Sequence, residues 1–203
     1  MQTILHKNDL SKDVEFSDVI AADCEMMGLQ PKRDPLCLIQ LYDGTGDCHL
    51  VQFIDKKYDA PNLIKLLSSD KTFIFHYARH DLAAIKHDLN VMIKNVYCTK
   101  IASKIARTYA QGHGYKDLVR ELLNIDISKK QQSSDWSNPN LSKQQIDYAA
   151  TDVLYLHDIK MKLDEILLRQ NRNSLAKACI AFLQHRVDLD LAGFENDIFS
   201  HSS

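Results

Sequence analysis

Short apolar runs bounded by turn residues dominate the first half of the chain, and helical spacing dominates the second. Val19–Glu25, Leu36–Tyr42 (LCLIQLY) and His49–Ile54 (HLVQFI) read as three strands, separated by the turn-prone PKRDP and DGTGD, and their succession predicts a meander. Pro61 opens a short helix, NLIKLLSS, and Thr72–His76 (TFIFH) reads as a buried strand running into the helix DLAAIKHDL. Val96–Cys98 is a brief strand before a helix over Ile101–Ala110. Tyr115–Leu123 is helical, and Asp126–Leu141 is a polar connector. Ser142 and Gln145 then form a capping-box pattern that starts one long helix running to about Leu168. A last helix from Ser174 to about Arg186 precedes a loose tail.

Hairpin-linked strands followed by helix-linked ones predict an α/β domain with a mixed central sheet flanked by helices. With 203 residues the expectation is a single domain over 1–203, its core over about 19–170 and a C-terminal helix and tail over 171–203. The net charge of −2 excludes a broadly basic nucleic-acid tail. The opening residues carry Lys7, Asp9, Lys12, Asp13, Glu15 and Asp18 and lack the apolar stretch of a secretory signal, and no apolar run is long enough for a membrane span. Five dispersed cysteines without a C-x-x-C pair read as free thiols in a reducing cytoplasm, so the expected location is cytoplasmic.

The candidate chemistry begins where the first expected strand ends. Strand side chains alternate faces, so Asp23 and Glu25 point the same way and Cys24 the opposite way. Two acids in one small space favour a hard divalent cation between them; solvated acids at a strand end are the alternative. Asp81 begins the helix after TFIFH, where a carboxylate also suits the helix dipole. Tyr148 and Asp152 lie four apart, on one helix face. Ile146, Ala149, Ala150, Val153 and Leu156 form the core stripe of that helix and leave the phenol and carboxylate at its margin.

D-x-E on the first strand, H-Y-A-R-H-D after the buried strand and Y-x-x-x-D on the late helix together resemble the DEDDy branch of the 3′–5′ exonucleases. PLCLIQLYDG, GYKDLV, SSDW and LSKQQIDYAATDV resemble ribonuclease D, and C-E-M-M-G-L is similar to oligoribonuclease and to the compact nanoRNase C type, enzymes of very short RNAs. The resemblance implies a ribonuclease H-like (DnaQ-like) exonuclease fold. It also implies that Asp23, Glu25, Asp81 and Asp152 hold two divalent ions, Mg2+ or Mn2+, with Asp23 bridging them, while Tyr148 orients the attacking water. The implied product is a 5′-monophosphate from the RNA 3′ end, with Glu25 and the backbone near Met26 at the terminal ribose. Ribonuclease D continues into helical repeats, whereas about 35 residues follow the last motif helix here. Tyr148 replaces the position-shifted histidine of oligoribonuclease.

The same resemblance makes Leu29 a wedge between two bases, or else a core leucine. Met26 and Met27 pad a base or fill core gaps. His76 opens the second motif, which counts against reading His76, His80 and His87 as a zinc site. Lys94, Lys100, Lys104, Arg107 and Lys116 form an acid-free basic stretch, and Lys100, Lys104 and Arg107 share one helix face that either holds phosphates or is simply solvated. Trp136 stacks on a base or anchors its loop. The loop Gln111–Gly114 caps a 5′ phosphate or turns the chain. The expected activity is metal-dependent 3′–5′ hydrolysis of short single-stranded RNA, down to dinucleotides, by a homo-oligomer off the membrane. Trimming of structured RNA 3′ ends, a DNA-directed exonuclease and a catalytically silent RNA-binding scaffold are the rivals.

Overall fold

The apolar runs pair into one six-stranded sheet. The computed structural model describes residues 2–127, 134–194 and 196–201; residues 128–133 of the expected connector, including Ser133 of SSDW, lie outside the described residues. The strands are β1 (Thr3–Lys7), β2 (Val19–Met26), β3 (Leu36–Tyr42), β4 (Cys48–Gln52), β5 (Thr72–Phe75) and β6 (Asn95–Cys98), in the spatial order β1-β4-β3-β2-β5-β6. The expected meander is β2-β3-β4, with antiparallel pairs throughout, while β5 and β6 add in parallel beyond β2. The sheet is therefore mixed. The first strand was not legible: Thr3–Lys7 pairs in parallel with β4 at the sheet's edge, half exposed, in the charged opening segment ahead of the first expected strand.

Among the described residues eight helices surround the sheet: α1 (Pro61–Leu67), α2 (Arg79–Leu89), α3 (Thr99–Ala106), α4 (Tyr115–Leu123), α5 (Lys143–Leu154), α6 (Leu156–Arg169), α7 (Asn173–Ala181) and α8 (Leu183–Ala192). Strand alternation divides the core. Ile20, Ala22 and Cys24 of β2 pack with Leu82 and Ile85 of α2 and Leu183 and Val187 of α8, whereas Ala21 joins Ala149, Ala150 and Val153 of α5 on the other face. β3, covered on both sides, buries all seven residues. Asp23 and Glu25 continue the Ala21 face, so α5 is the helix that meets them.

Three helical expectations are corrected. The helix expected from Ser142 to Leu168 starts at its capping box, where the Gln145 N–H donates to Ser142 Oγ at 3.2 Å and the Ser142 N–H to Gln145 Oε1 at 3.0 Å. It breaks at Tyr155, whose ψ of 4° leaves the helical range. The helix expected over Ser174–Arg186 is two helices, and the second continues to Ala192 where a tail was expected. α3 starts at Thr99 and stops at Ala106, short of the expected Ala110.

Candidate active site

Three elements deliver carboxylates and a phenol to one cleft of about 350 Å3 at the end of β2. β2 brings Asp23 and Glu25, α2 brings Asp81, and α5 brings Tyr148 and Asp152. The β2–β3 ladder shifts register between Glu25 and Met26, a bulge of the kind that re-aims side chains beside functional sites. Carboxylate oxygens of Asp23, Glu25 and Asp152 all lie within 4.8 Å of one another. Asp81, 4% exposed, is anchored differently: its Oδ1 accepts the Cys24 N–H at 3.0 Å, which ties the first turn of α2 to the strand between the two β2 acids.

Such crowding is electrostatically costly. Burial, followed by the charges of Asp81, Asp152 and Glu25, pushes the Asp23 carboxyl well above the usual carboxylate range. Burial and then Asp152 and Asp81 push Glu25 up to about 9, and burial raises Asp81 to about 7. The Tyr148 phenol is raised by burial and by the Asp152 and Glu25 charges, so it is neutral and keeps its proton, with a hydrogen bond to Asp152. Hard oxygen donors gathered so closely, with like charges as the dominant neighbours, fit a divalent cation such as Mg2+ or Mn2+, which would convert the repulsion into ligation.

The other candidate residues divide in two groups. Leu29, 70% exposed, and His76 line the cleft, the latter with Nδ1 2.9 Å from Thr99 Oγ1. Lys100 and Lys116 of the basic stretch line it as well, and Lys100 Nζ sits 4.0 Å above the Tyr77 ring. Met26 is half-buried against the α2-side core. Arg107 and Trp136 lie buried away from the cleft, and the burial of Trp136 matches its reading as a loop anchor. Because α3 ends at Ala106, Arg107 turns inward: it is 1% exposed, pairs with Glu121, and donates to Ser103 Oγ at 3.0 Å and the Gly112 carbonyl at 3.3 Å. Trp136, 2% exposed, packs in the core under α5, its ring 6.2 Å from that of Tyr148. Both serve the fold at these positions rather than the cleft surface.

Sequence reasoning missed Tyr77 and Tyr115, which also line the cleft. Tyr77 has a φ of 66°, a left-handed conformation uncommon outside glycine, between β5 and α2. H-Y-A-R-H-D marks its place but not its backbone. A larger groove, about 950 Å3, lies over α6, α7 and β6, away from the carboxylates, and lacks comparable chemistry.

A family profile described as 3′–5′ exonuclease matches residues 2–168. The chain is similar over 100% of both chains to Brucella melitensis NrnC, at 47% identity and a TM-score of 0.94. That protein has also been solved with bound Mg2+ and bound to pGG. Ribonuclease D of Xanthomonas oryzae pv. oryzae is 36% identical over 171 residues, 83% of this chain and 47% of that protein. Escherichia coli RNase D, at 24% identity and a TM-score of 0.73, shares the fold. The chain spans between 38% and 47% of the length of the first three curated relatives it matches, all ribonucleases D.

Proposed function

Because the chain belongs to the ribonuclease D-like 3′–5′ exonuclease family, we propose that it is a divalent-metal-dependent exoribonuclease of DEDDy type, releasing 5′-monophosphates from the 3′ end of short RNA, down to dinucleotides. The observation that carries this reading is the carboxylate cluster: three acids with oxygens within 4.8 Å, and Asp81 fixed beside them.

In this reading Asp23, Glu25, Asp81 and Asp152 hold two ions, Mg2+ or Mn2+. When bound, such ions supply the positive charge that lowers the pKa of an attacking water and steadies the charge gathering on the phosphate. The chain's own groups do the rest. The neutral Tyr148 hydroxyl, its proton held by burial and by Asp152, orients the water by hydrogen bonding. Glu25 and the backbone at Met26 face the terminal ribose. Leu29 offers apolar surface to a base at the cleft's mouth, and His76 forms part of the cleft wall. Lys100 and Lys116 set two positive charges beside the phosphate path, enough for a ligand of few phosphates.

A short substrate is favoured by the modest volume of the cleft, about 350 Å3, and by full-length likeness to a protein solved with pGG. We place the work in the cytoplasm, where the five free cysteines, four of them buried, stay reduced. No helix among the described residues is long and apolar enough to cross a membrane. Self-association is part of the proposal; exposed Met161 and Leu168 on the large groove offer it an apolar surface.

The test is a length series: RNA and DNA oligonucleotides of two, seven and twenty nucleotides, with rates measured in Mg2+. Faster turnover of the RNA 2-mer is expected. Equal rates across length favour ribonuclease D-like trimming, faster DNA cleavage favours a DNA-directed enzyme, and no cleavage of any favours the silent scaffold.

A further inference from the structure

Tyr115 interrupts the long helix through a single hydroxyl. Its Oη donates to the Thr151 carbonyl at 2.7 Å and accepts the Tyr155 N–H at 3.2 Å. In an unbroken α-helix the Tyr155 N–H would itself donate to the Thr151 carbonyl, because residues four apart are joined in that way. The phenol is thus inserted into one rung of the helical ladder and satisfies both of its ends, a recognised cause of a sharp helix break. The break separates α5 from α6 at Tyr155.

The location of that rung matters. The Thr151 carbonyl belongs to the same rigid peptide unit as the Asp152 N–H, so the hydroxyl that grips it fixes the plane from which the Asp152 side chain departs. Tyr115 is itself held. It opens α4 behind Gly114, whose N–H donates to Asp117 Oδ2 at 3.1 Å, and its ring lies 5.8 Å from that of His76. Burial pushes its phenol well above the ordinary tyrosine range, so it stays a two-way hydrogen-bonding group at working pH.

We infer that Tyr115 is a positioning residue for the metal site: by standing between Thr151 and Tyr155 it ends α5 and turns Asp152 toward Asp23 and Glu25. The inference rests on the proposed reading of the carboxylates as metal ligands. Tyr115→Phe removes the hydroxyl and keeps the ring, leaving the Thr151 carbonyl and the Tyr155 N–H free to join each other and carry α5 through the break.

The experiment is calorimetric titration of the full chain with Mn2+, for wild type, Tyr115→Phe and Tyr97→Phe. Tyr97 is a matched control, because its half-buried hydroxyl donates to Asp164 at 2.8 Å and ties β6 to α6 away from the carboxylates. Circular dichroism fixes a temperature at which all three are folded. Loss of a group that orients a ligand typically weakens metal binding about 10- to 100-fold. A loss in that range is expected for Tyr115→Phe, with Tyr97→Phe within about twofold of wild type. In the same proteins kcat on an RNA dinucleotide falls for Tyr115→Phe while KM stays close to wild type. Wild-type affinity in Tyr115→Phe, or an equal loss in Tyr97→Phe, overturns the inference while leaving the nuclease reading intact. A wild type that binds no Mn2+ overturns both.

Discussion

Asp34 folds over Gly28 so closely that a Cβ at position 28 would overlap its carboxylate. The same carboxylate accepts the Gln30 N–H at 3.0 Å and both Arg33 Nε and Nη2, at 2.6 and 2.7 Å, and these bonds hold it down to about 2, well below the usual carboxylate range. The result is a tight loop that closes on itself and leaves Leu29 pointing outward at the cleft. Gly28→Ala must displace Asp34 and move Leu29. The expected outcome is a fall of roughly 10- to 100-fold in kcat/KM on an RNA dinucleotide, since small misplacements of substrate-positioning groups carry penalties of that size. Steady-state kinetics beside a melting curve checks it; unchanged kinetics would mean that the loop does not present Leu29 to the substrate.

Asp190 of α8 receives a two-pronged bond from Arg79 of α2, Nε and Nη2 each at 2.6 Å, and a further one from Arg186 Nη2 at 2.7 Å. Burial pushes its carboxyl up, and the hydrogen bonds from the two guanidinium groups outweigh this and leave it below the ordinary value. A depressed carboxylate contributes stability that is present above its unfolded value, near pH 4, and is lost as pH falls through the lower folded one. Asp190→Ala is expected to cost about 1–3 kcal/mol at neutral pH, with the difference from wild type shrinking as the pH drops below about 4. Urea melts across that range measure it.

The chemistry was more legible than its framework. Asp23 and Glu25 were readable because alternation along a strand is local, and Tyr148 and Asp152 because helical spacing is local. The break after Asp152 was not, since its cause is a hydroxyl 40 residues upstream, Tyr115 bonded to the Tyr155 N–H. The burial of Arg107 was hidden for a related reason. A basic stripe at helical spacing carries no record of where the helix stops, and one residue beyond Ala106 the guanidinium finds Glu121 instead of solvent. Thr3–Lys7 escaped notice because an edge strand half exposed to water has no continuous apolar face, and its partner Cys48–Gln52 lies more than forty residues away.

Protons and metal ions compete for the same oxygens in this cluster. Burial and the neighbouring Asp152 and Asp81 raise Glu25 to about 9, and burial raises Asp81 to about 7. A raised carboxyl favours the fold in its neutral form, so its contribution to the metal-free protein is full below the ordinary carboxylate range and is lost as pH rises through 7 and 9. Divalent ions bind the ionised form and restore what is lost. The stabilisation given by Mg2+, read as the difference in Tm with and without the ion, is expected to grow between about pH 6 and about pH 9. A shift that is flat or shrinks over that interval would show that these acids are not the ligands.

The most direct measurement is release of 5′-monophosphate from an RNA dinucleotide in Mg2+ by wild type and by Asp152→Asn, with melting temperatures taken alongside. Asparagine keeps the shape of the side chain and removes one of the charges crowding Glu25 and Asp23, so the fold is expected to hold or gain stability. Hydrolysis is expected to fall by more than about 100-fold, as when a principal source of charge stabilisation is withdrawn from a reacting phosphate. A variant that melts like wild type and still releases the monophosphate at a comparable rate would contradict the assignment of this carboxylate cluster as the catalytic centre.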